Sequence, residues 1–192
     1  MPKLIKYHSL LCFIVFVLLT KNAAIASTWV SEPPVIPKVE LIDQDNHSVR
    51  LDELIHEHIV LVNFMFTSCT SSCSPQTAIL RATMDAVNVT DVKDKILFIS
   101  ITVDPLTDNP SRLRNYAQRF DVKTGINNGW VFLTGTPQQV RRIMRAFGER
   151  GYAADSHTGM IWIGYQPNKR WMRVAALNGP DVLSRLVREV AQ

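Results

Sequence analysis

The hydrophobic pattern changes period several times along the chain, and each change marks an element. Ile59 to Phe66 is an almost unbroken apolar run that closes in Thr-Ser. That is how a strand buried on both faces of a sheet reads. Ile96 to Thr102 is a second such strand, and Trp130 to Leu133 is a shorter third. Three segments switch to helical spacing. Leu113, Tyr116, Ala117 and Phe120 fall at i, i+3, i+4 and i+7, as do Val140, Ile143, Met144 and Phe147, and again Leu183, Leu186, Val187 and Val190. Each opens on a proline suited to a first helical turn, in Asn109-Pro110, Thr136-Pro137 and Gly179-Pro180. Helix propensity also returns from Pro75 to about Val87. Met160–Tyr165 and Trp171–Ala176 flank Gln166–Arg170 and predict an antiparallel hairpin.

Nearer the N-terminus, Val39–Leu41 and Val49–Leu51 flank Asp-Gln-Asp-Asn and predict another hairpin. The order is then hairpin, β, α, β, α, β, α, β, β, α. Alternating strands and helices make right-handed crossovers and a sheet covered on both faces, an α/β fold. A β-α-β half followed by a β-β-α half is the thioredoxin-like arrangement, here a sheet with flanking helices and an N-terminal β-hairpin extension. No internal repeat, low-complexity tract or second domain is visible. The chain has 192 residues, 46% hydrophobic and 20% charged, with eight Gly and ten Pro. That suits one compact domain and excludes a collagen-like chain, a disordered tail and a polytopic membrane protein.

A formal charge of +4 invites a nucleic-acid reading, but the first segment removes it. Lys3 and Lys6 precede the apolar run Leu10 to Leu19, and Ala24-Ile25-Ala26 supplies an A-x-A cleavage pattern. These are the three parts of a secretory signal peptide. The run is short of the roughly 20 residues that span a bilayer, so an uncleaved anchor near a membrane is the weaker reading. Residues 1–26 are thus read as a signal peptide, 27–38 as an extended lead-in with three prolines, and 39–192 as the domain. Cleavage after Ala26 leaves 18 basic and 17 acidic residues and directs the domain to a periplasm or other exported compartment. A near-neutral domain has no general pull on phosphate backbones, so no nucleic-acid partner is expected. Arg141, Arg142, Arg145 and Arg150 read as the wet face of a helix.

Cleavage also removes Cys12 and leaves one pair, Cys69 and Cys73, after the first buried strand and before its helix. In open α/β sheets, sites gather at the carboxyl ends of strands, where helix N-termini point. The N–H groups there favour a thiolate, and each unit of pKa depression below about 8.5 recruits nearly tenfold more of it near neutral pH. If both cysteines are helical, the spacing of four places their sulfurs on one face.

Three readings of the pair stand open. A structural disulfide closing so short a loop constrains little of the unfolded chain. A thiol–disulfide oxidoreductase would attack a partner's disulfide through a mixed disulfide, and itself needs a thiol reductant partner. Such enzymes usually carry C-x-x-C and a cis-proline before the facing strand, whereas Gly151–Ile163 holds no proline. A soft-metal site is the third. Ser156-His157-Thr158 precedes the strand that lies beside the first buried strand, so His157 can face the cysteines. Two thiolates and one imidazole suit copper, as Cu(I) or Cu(II), whereas zinc wants a fourth ligand. A peroxidatic role for Cys69 lacks the proline expected at position 63, which is Asn63.

The chain resembles the Sco/SenC family of thioredoxin-like copper proteins of cytochrome c oxidase assembly. The carrying pieces are Asn63-Phe-Met-Phe-Thr-Ser-Cys69 with Cys73, Ser100-Ile-Thr-Val-Asp104-Pro105 with Asp108, Pro110, Leu113 and Tyr116, Trp130-Val-Phe-Leu-Thr-Gly135, and His157. The match runs from about Val39 to Val190. The resemblance implies copper bound by Cys69, Cys73 and His157. It also implies an exported metallochaperone that delivers copper to the CuA centre of cytochrome c oxidase subunit II, or another copper-accepting protein, or reduces that subunit's cysteines beforehand. Two departures stand out. Thr70 and Ser74 occupy places where family members commonly carry proline, and Ser156 separates Asp155 from His157. Asp104 and Asp108 read as organisers of a turn and of the start of the next helix. His56, His58 and His47 read as surface or turn residues, and Met65, Met160 and Met172 as strand core.

Overall fold

The computed structural model describes residues 27–88, 92–149 and 159–192. Eight strands form one sheet: β1 (Ser27–Trp29), β2 (Glu40–Asp43), β3 (Ser48–Arg50), β4 (Ile59–Met65), β5 (Ile96–Thr102), β6 (Trp130–Thr134), β7 (Met160–Tyr165) and β8 (Arg170–Ala175). Their spatial order is β1-β8-β7-β4-β5-β6-β2-β3. The β4, β5 and β6 strands are parallel neighbours, and the remaining pairings are antiparallel. All seven residues of β4 and of β5 are buried, as expected for central strands covered on both faces. Five helices accompany the sheet among the described residues: α1 (Leu51–Glu57), α2 (Cys73–Val87), α3 (Pro110–Arg119), α4 (Pro137–Ala146) and α5 (Pro180–Ala191). The β-α-β and β-β-α halves are those of a thioredoxin-like fold.

Successive residues of a strand point to opposite faces, and β4 shows how the two layers divide. Phe64 meets Phe147 at the end of α4 edge-on, with ring centroids 5.7 Å apart, and Phe147 also meets Trp162 and Trp171. Its neighbour Asn63 points the other way, to α2. There Trp130 Nε1 donates to Ser100 Oγ (2.9 Å), Ser100 Oγ donates to Asn63 Oδ1 (2.7 Å), and Asn63 Nδ2 donates to Gln76 Oε1 (3.2 Å). This buried chain of polar groups ties β4, β5 and β6 to the helix that begins at Cys73. Most buried polar groups are partnered in this way, although Gln76 Nε2 at the end of the chain has no hydrogen-bond partner among the described residues. In the β7–β8 hairpin, Gly164 pairs with Trp171. A Cβ there would lie 2.2 Å from the indole, so only glycine lets that ring lie across the strand.

The structure amends the sequence reading in three places. Leu51 does not end the N-terminal hairpin but opens α1, where Leu51, Leu54 and Ile55 bury one face. That i, i+3, i+4 spacing was present in the sequence, but a seven-residue helix offers too few turns to stand out against a strand. The first residues of the lead-in are an edge strand, Ser27–Trp29, paired with β8 and covered at Trp29 by the Arg170 guanidinium 4.6 Å from the ring centre. Finally, α2 begins at Cys73 rather than Pro75. The helical stripes of α3, α4 and α5 are buried as expected except at Phe120, which is half-buried at the C-cap of α3, while Phe147 is buried at that of α4. Arg142 and Arg145 are exposed and Arg141 half-exposed, the wet face of α4, while Arg150 lies outside the described residues.

Candidate dithiol site

The C-terminal ends of β4 and β5 carry the chemistry-bearing side chains. Beyond Met65 the chain turns sharply, with the Cys69 N–H donating to the Phe66 carbonyl (3.2 Å). Four residues later Cys73 starts α2, so only the second cysteine is helical. The sulfurs still converge. Cys69 Sγ accepts the Cys73 backbone N–H at 3.3 Å and lies 3.8 Å from Ser71 Oγ. Both thiols are unbridged, Cys69 8% and Cys73 1% exposed.

Their electrostatics differ sharply. Burial works against a Cys69 thiolate. Hydrogen bonds from the Cys73 thiol and N–H and from the Ser71 backbone and hydroxyl outweigh it, and bring the pKa down from 9.0 to about 7. Cys73 is deeper; burial first, and then its hydrogen bond to Cys69, push it up to about 12. One sulfur is therefore poised to ionise near neutrality while the other keeps its proton. Tyr116 packs behind Cys73, with its hydroxyl donating to the Cys73 carbonyl (3.2 Å) and lying 2.7 Å from Thr77 Oγ1.

His157, Asp155 and Ser156 lie outside the described residues. Among the described residues, no group of three or more His, Cys, Asp or Glu is arranged to hold a metal ion. Of the other described histidines, two sit at the surface as the sequence reading expects and the third, His58, does not. His56 and His47 are exposed, with His47 Nδ1 3.5 Å from Asp43, and His58 is half-buried with Nδ1 2.9 Å from the Leu54 carbonyl. Met65 and Met172 are buried in the core, and Met160 is half-buried at the start of β7. Asp108 does organise a turn, accepting from Thr102 Oγ1 (2.6 Å), but it also reaches the cysteine loop by accepting from the Thr67 N–H (3.0 Å) and hydroxyl. The sequence carried no direct signal of that contact, because the partners are 41 residues apart.

A family model described as SCO1/SenC matches residues 30–162. The chain belongs to the SCO1/SenC family. Among curated relatives, the SCO1 protein homolog of Bacillus subtilis is 32% identical over 96 residues, which cover 50% of this chain and 47% of that protein. The chain spans about half the length of several curated relatives it matches. Among solved structures, BsSco, a member of the Sco family of cytochrome c oxidase assembly proteins in which a disulfide switch was identified, superposes with a TM-score of 0.68. It is 22% identical, and the match covers 84% of this chain and 95% of that one. Yeast Sco1 with copper bound superposes with a TM-score of 0.66 at 18% identity, over 83% of this chain and 93% of that one. At such identities the superpositions establish the shared fold, and SCO1/SenC membership rests on the family model.

Across the SCO1/SenC match, Cys69 and Cys73 occupy the turn and helix start just described, and Asp104 and Asp108 the turn beside them. Thr70 and Ser74, the departures from proline, are both exposed. Pro75 stands third in α2, within the first turn, where a missing N–H leaves no helical bond unmade.

Proposed function

We propose that the chain is an exported copper metallochaperone. Cys69, Cys73 and His157 hold copper as cargo and pass it to, or prepare the thiols of, the CuA centre of cytochrome c oxidase. The observation that carries this reading is the Cys69 sulfur, shielded at the carboxyl end of β4 and hydrogen-bonded to the N–H that opens α2. Thiolates are the soft donors that copper prefers, and Cys69 forms one near neutral pH. A family relative was solved with copper bound. The reach of His157 is supported by topology. β7 runs antiparallel to β4 with Asn63 opposite Ile161, so Gly159 stands at the end of the sheet where β4 finishes. His157 is two residues upstream of Gly159, at most about 7 Å of chain.

On this reading Cys69 engages the ion first and Cys73 gives up its proton as it becomes the second ligand, so loading releases protons. Delivery is exchange of these ligands for the acceptor's thiolates.

The split between the two cysteines favours a second, thiol-reducing activity of the same site. The Cys69 thiolate attacks a partner disulfide and displaces one partner sulfur as thiolate. Cys73 then loses its proton and attacks the Cys69 sulfur, releasing the second partner thiolate. Two electrons pass to the partner, and a Cys69–Cys73 disulfide remains for a thiol reductant to reopen.

Titration of the reduced chain with Cu(I), competed against a chelator, tests the first reading. One copper per chain is expected, lost in Cys69→Ser and Cys73→Ser and weakened at least about tenfold in His157→Ala, as expected for loss of a directly bound group. Undiminished binding in His157→Ala overturns the three-ligand site. Disulfide reduction that needs both cysteines and survives His157→Ala identifies the second activity.

A further inference from the structure

Thr67 stands two residues before Cys69, and three of its polar groups are held from outside its own loop. Its N–H donates to Asp108 Oδ2 (3.0 Å), its hydroxyl donates to Asp108 Oδ1, and its carbonyl accepts from Arg119 Nη2 (3.2 Å). Asp108 itself has no accessible surface. Its carboxylate also takes the Thr102 hydroxyl at the last residue of β5 (2.6 Å). Its own N–H donates to the Asp104 carbonyl (2.9 Å), which closes the turn before α3. One buried carboxylate thus joins the end of β5, the turn before α3 and the turn that carries Cys69. Around it the loop is exposed at Ser68, Thr70, Ser71 and Ser72.

We propose that Asp108 is the positioning residue of the dithiol. It clasps Thr67 to the end of β5 and so sets where the Cys69 sulfur meets the Cys73 N–H. The proposal rests on the reading of the pair as a working dithiol. The hydrogen bonds that favour the Cys69 thiolate depend on distance and angle, and they weaken steeply when the acceptor swings away. A reactive group must be held within about 0.5 Å by neighbours that are themselves fixed, and a buried carboxylate accepting several hydrogen bonds is such a neighbour. A merely structural aspartate would act differently. Its loss would loosen the fold and expose both sulfurs, whereas loss of positioning leaves both buried and makes Cys69 less nucleophilic.

The two effects move thiol labelling in opposite directions. The full chain is reduced and labelled with iodoacetamide at pH 7, the label is located by mass spectrometry, and stability is followed separately by urea unfolding. Asp108→Asn puts one carbonyl and two donors where three donors converge. Cys69 labelling should fall about 2- to 5-fold as its sulfur swings away from the Cys73 N–H, while Cys73 stays protected. Thr67→Val removes the hydroxyl alone and should give a smaller fall of the same sign. The double variant should fall no further than Asp108→Asn, since both changes break one clasp. Unchanged Cys69 labelling in both single variants overturns the proposal, as does faster labelling of both cysteines with a lowered urea midpoint. If Asp108→Asn fails to fold, Thr67→Val decides the question alone. No copper enters this experiment, so its failure leaves the copper reading to the titration.

Discussion

Two helices of this domain begin in opposite ways. α4 opens on a full capping box: Thr136 accepts the Gln139 N–H (3.3 Å), Gln139 returns the bond to the Thr136 N–H (2.7 Å), and Pro137 occupies the first turn. At α2 Ser72 stands at the N-cap without a side-chain cap bond, and no acidic residue lies in the first turn. Its first N–H goes instead to the Cys69 sulfur. A capping box satisfies orphan donors for stability alone. The sulfur performs the same task at α2, and its acidity is changed in return. The positive end of α2 is therefore directed at the nucleophile, while that of α4 is closed off.

The largest test of that contrast is Cys69→Ser. The remaining thiol, Cys73, is raised chiefly by burial, which the substitution leaves in place, so reduction of a small aromatic disulfide at pH 7 should fall at least about 100-fold. A smaller loss, followed by stopped-flow absorbance, would show that Cys73 is more reactive than its burial implies.

The pH dependence comes next. Alkylation of Cys69 in the reduced chain should rise about tenfold per pH unit below its pKa and level off above about 7. Stability follows with a definite sign. The folded chain lowers this pKa from its ordinary 9.0, so the stabilisation is complete above pH 9 and lost as the pH falls through about 7. The urea midpoint of the reduced chain should therefore climb between pH 7 and 9. In Cys69→Ser that rise should vanish.

Ser72→Asp would give α2 the cap it lacks and place a carboxylate beside the thiolate. Urea unfolding should show a gain of about 0.5–1 kcal/mol. Cys69 alkylation at pH 6.5 should slow several-fold because like charge raises the thiol pKa. If both quantities move in the same direction, the uncapped start of α2 has no bearing on reactivity. The smallest effect is expected at the other helix. Thr136→Ala should cost about 1 kcal/mol in urea unfolding and leave the Cys69 alkylation rate untouched.

Legibility from sequence tracked the range of the interactions. The central strands were readable because each is almost wholly apolar, and α3, α4 and α5 because ten or more residues repeat one buried stripe. The seven-residue α1 and three-residue β1 were not, since neither is long enough to establish a period. Within the site, Cys69 and Cys73 were visible as the only cysteines after Cys12, and they stand four residues apart. Their unequal environments were not visible, because exposures of 8% and 1% depend on what packs over each sulfur.

The sequence by itself determined the alternation of strands and helices, the placement of a thiol pair at the end of a buried strand, and the prolines and caps that start the later helices. These follow from side-chain period and local backbone chemistry, which act over a few residues. Only the tertiary structure decided that a sulfur would cap α2, that one thiol would ionise near neutrality while its neighbour stayed protonated, and that Asp108 would hold Thr67. Those outcomes depend on burial and on hydrogen bonds between segments far apart in the chain, and no local pattern encodes such distances.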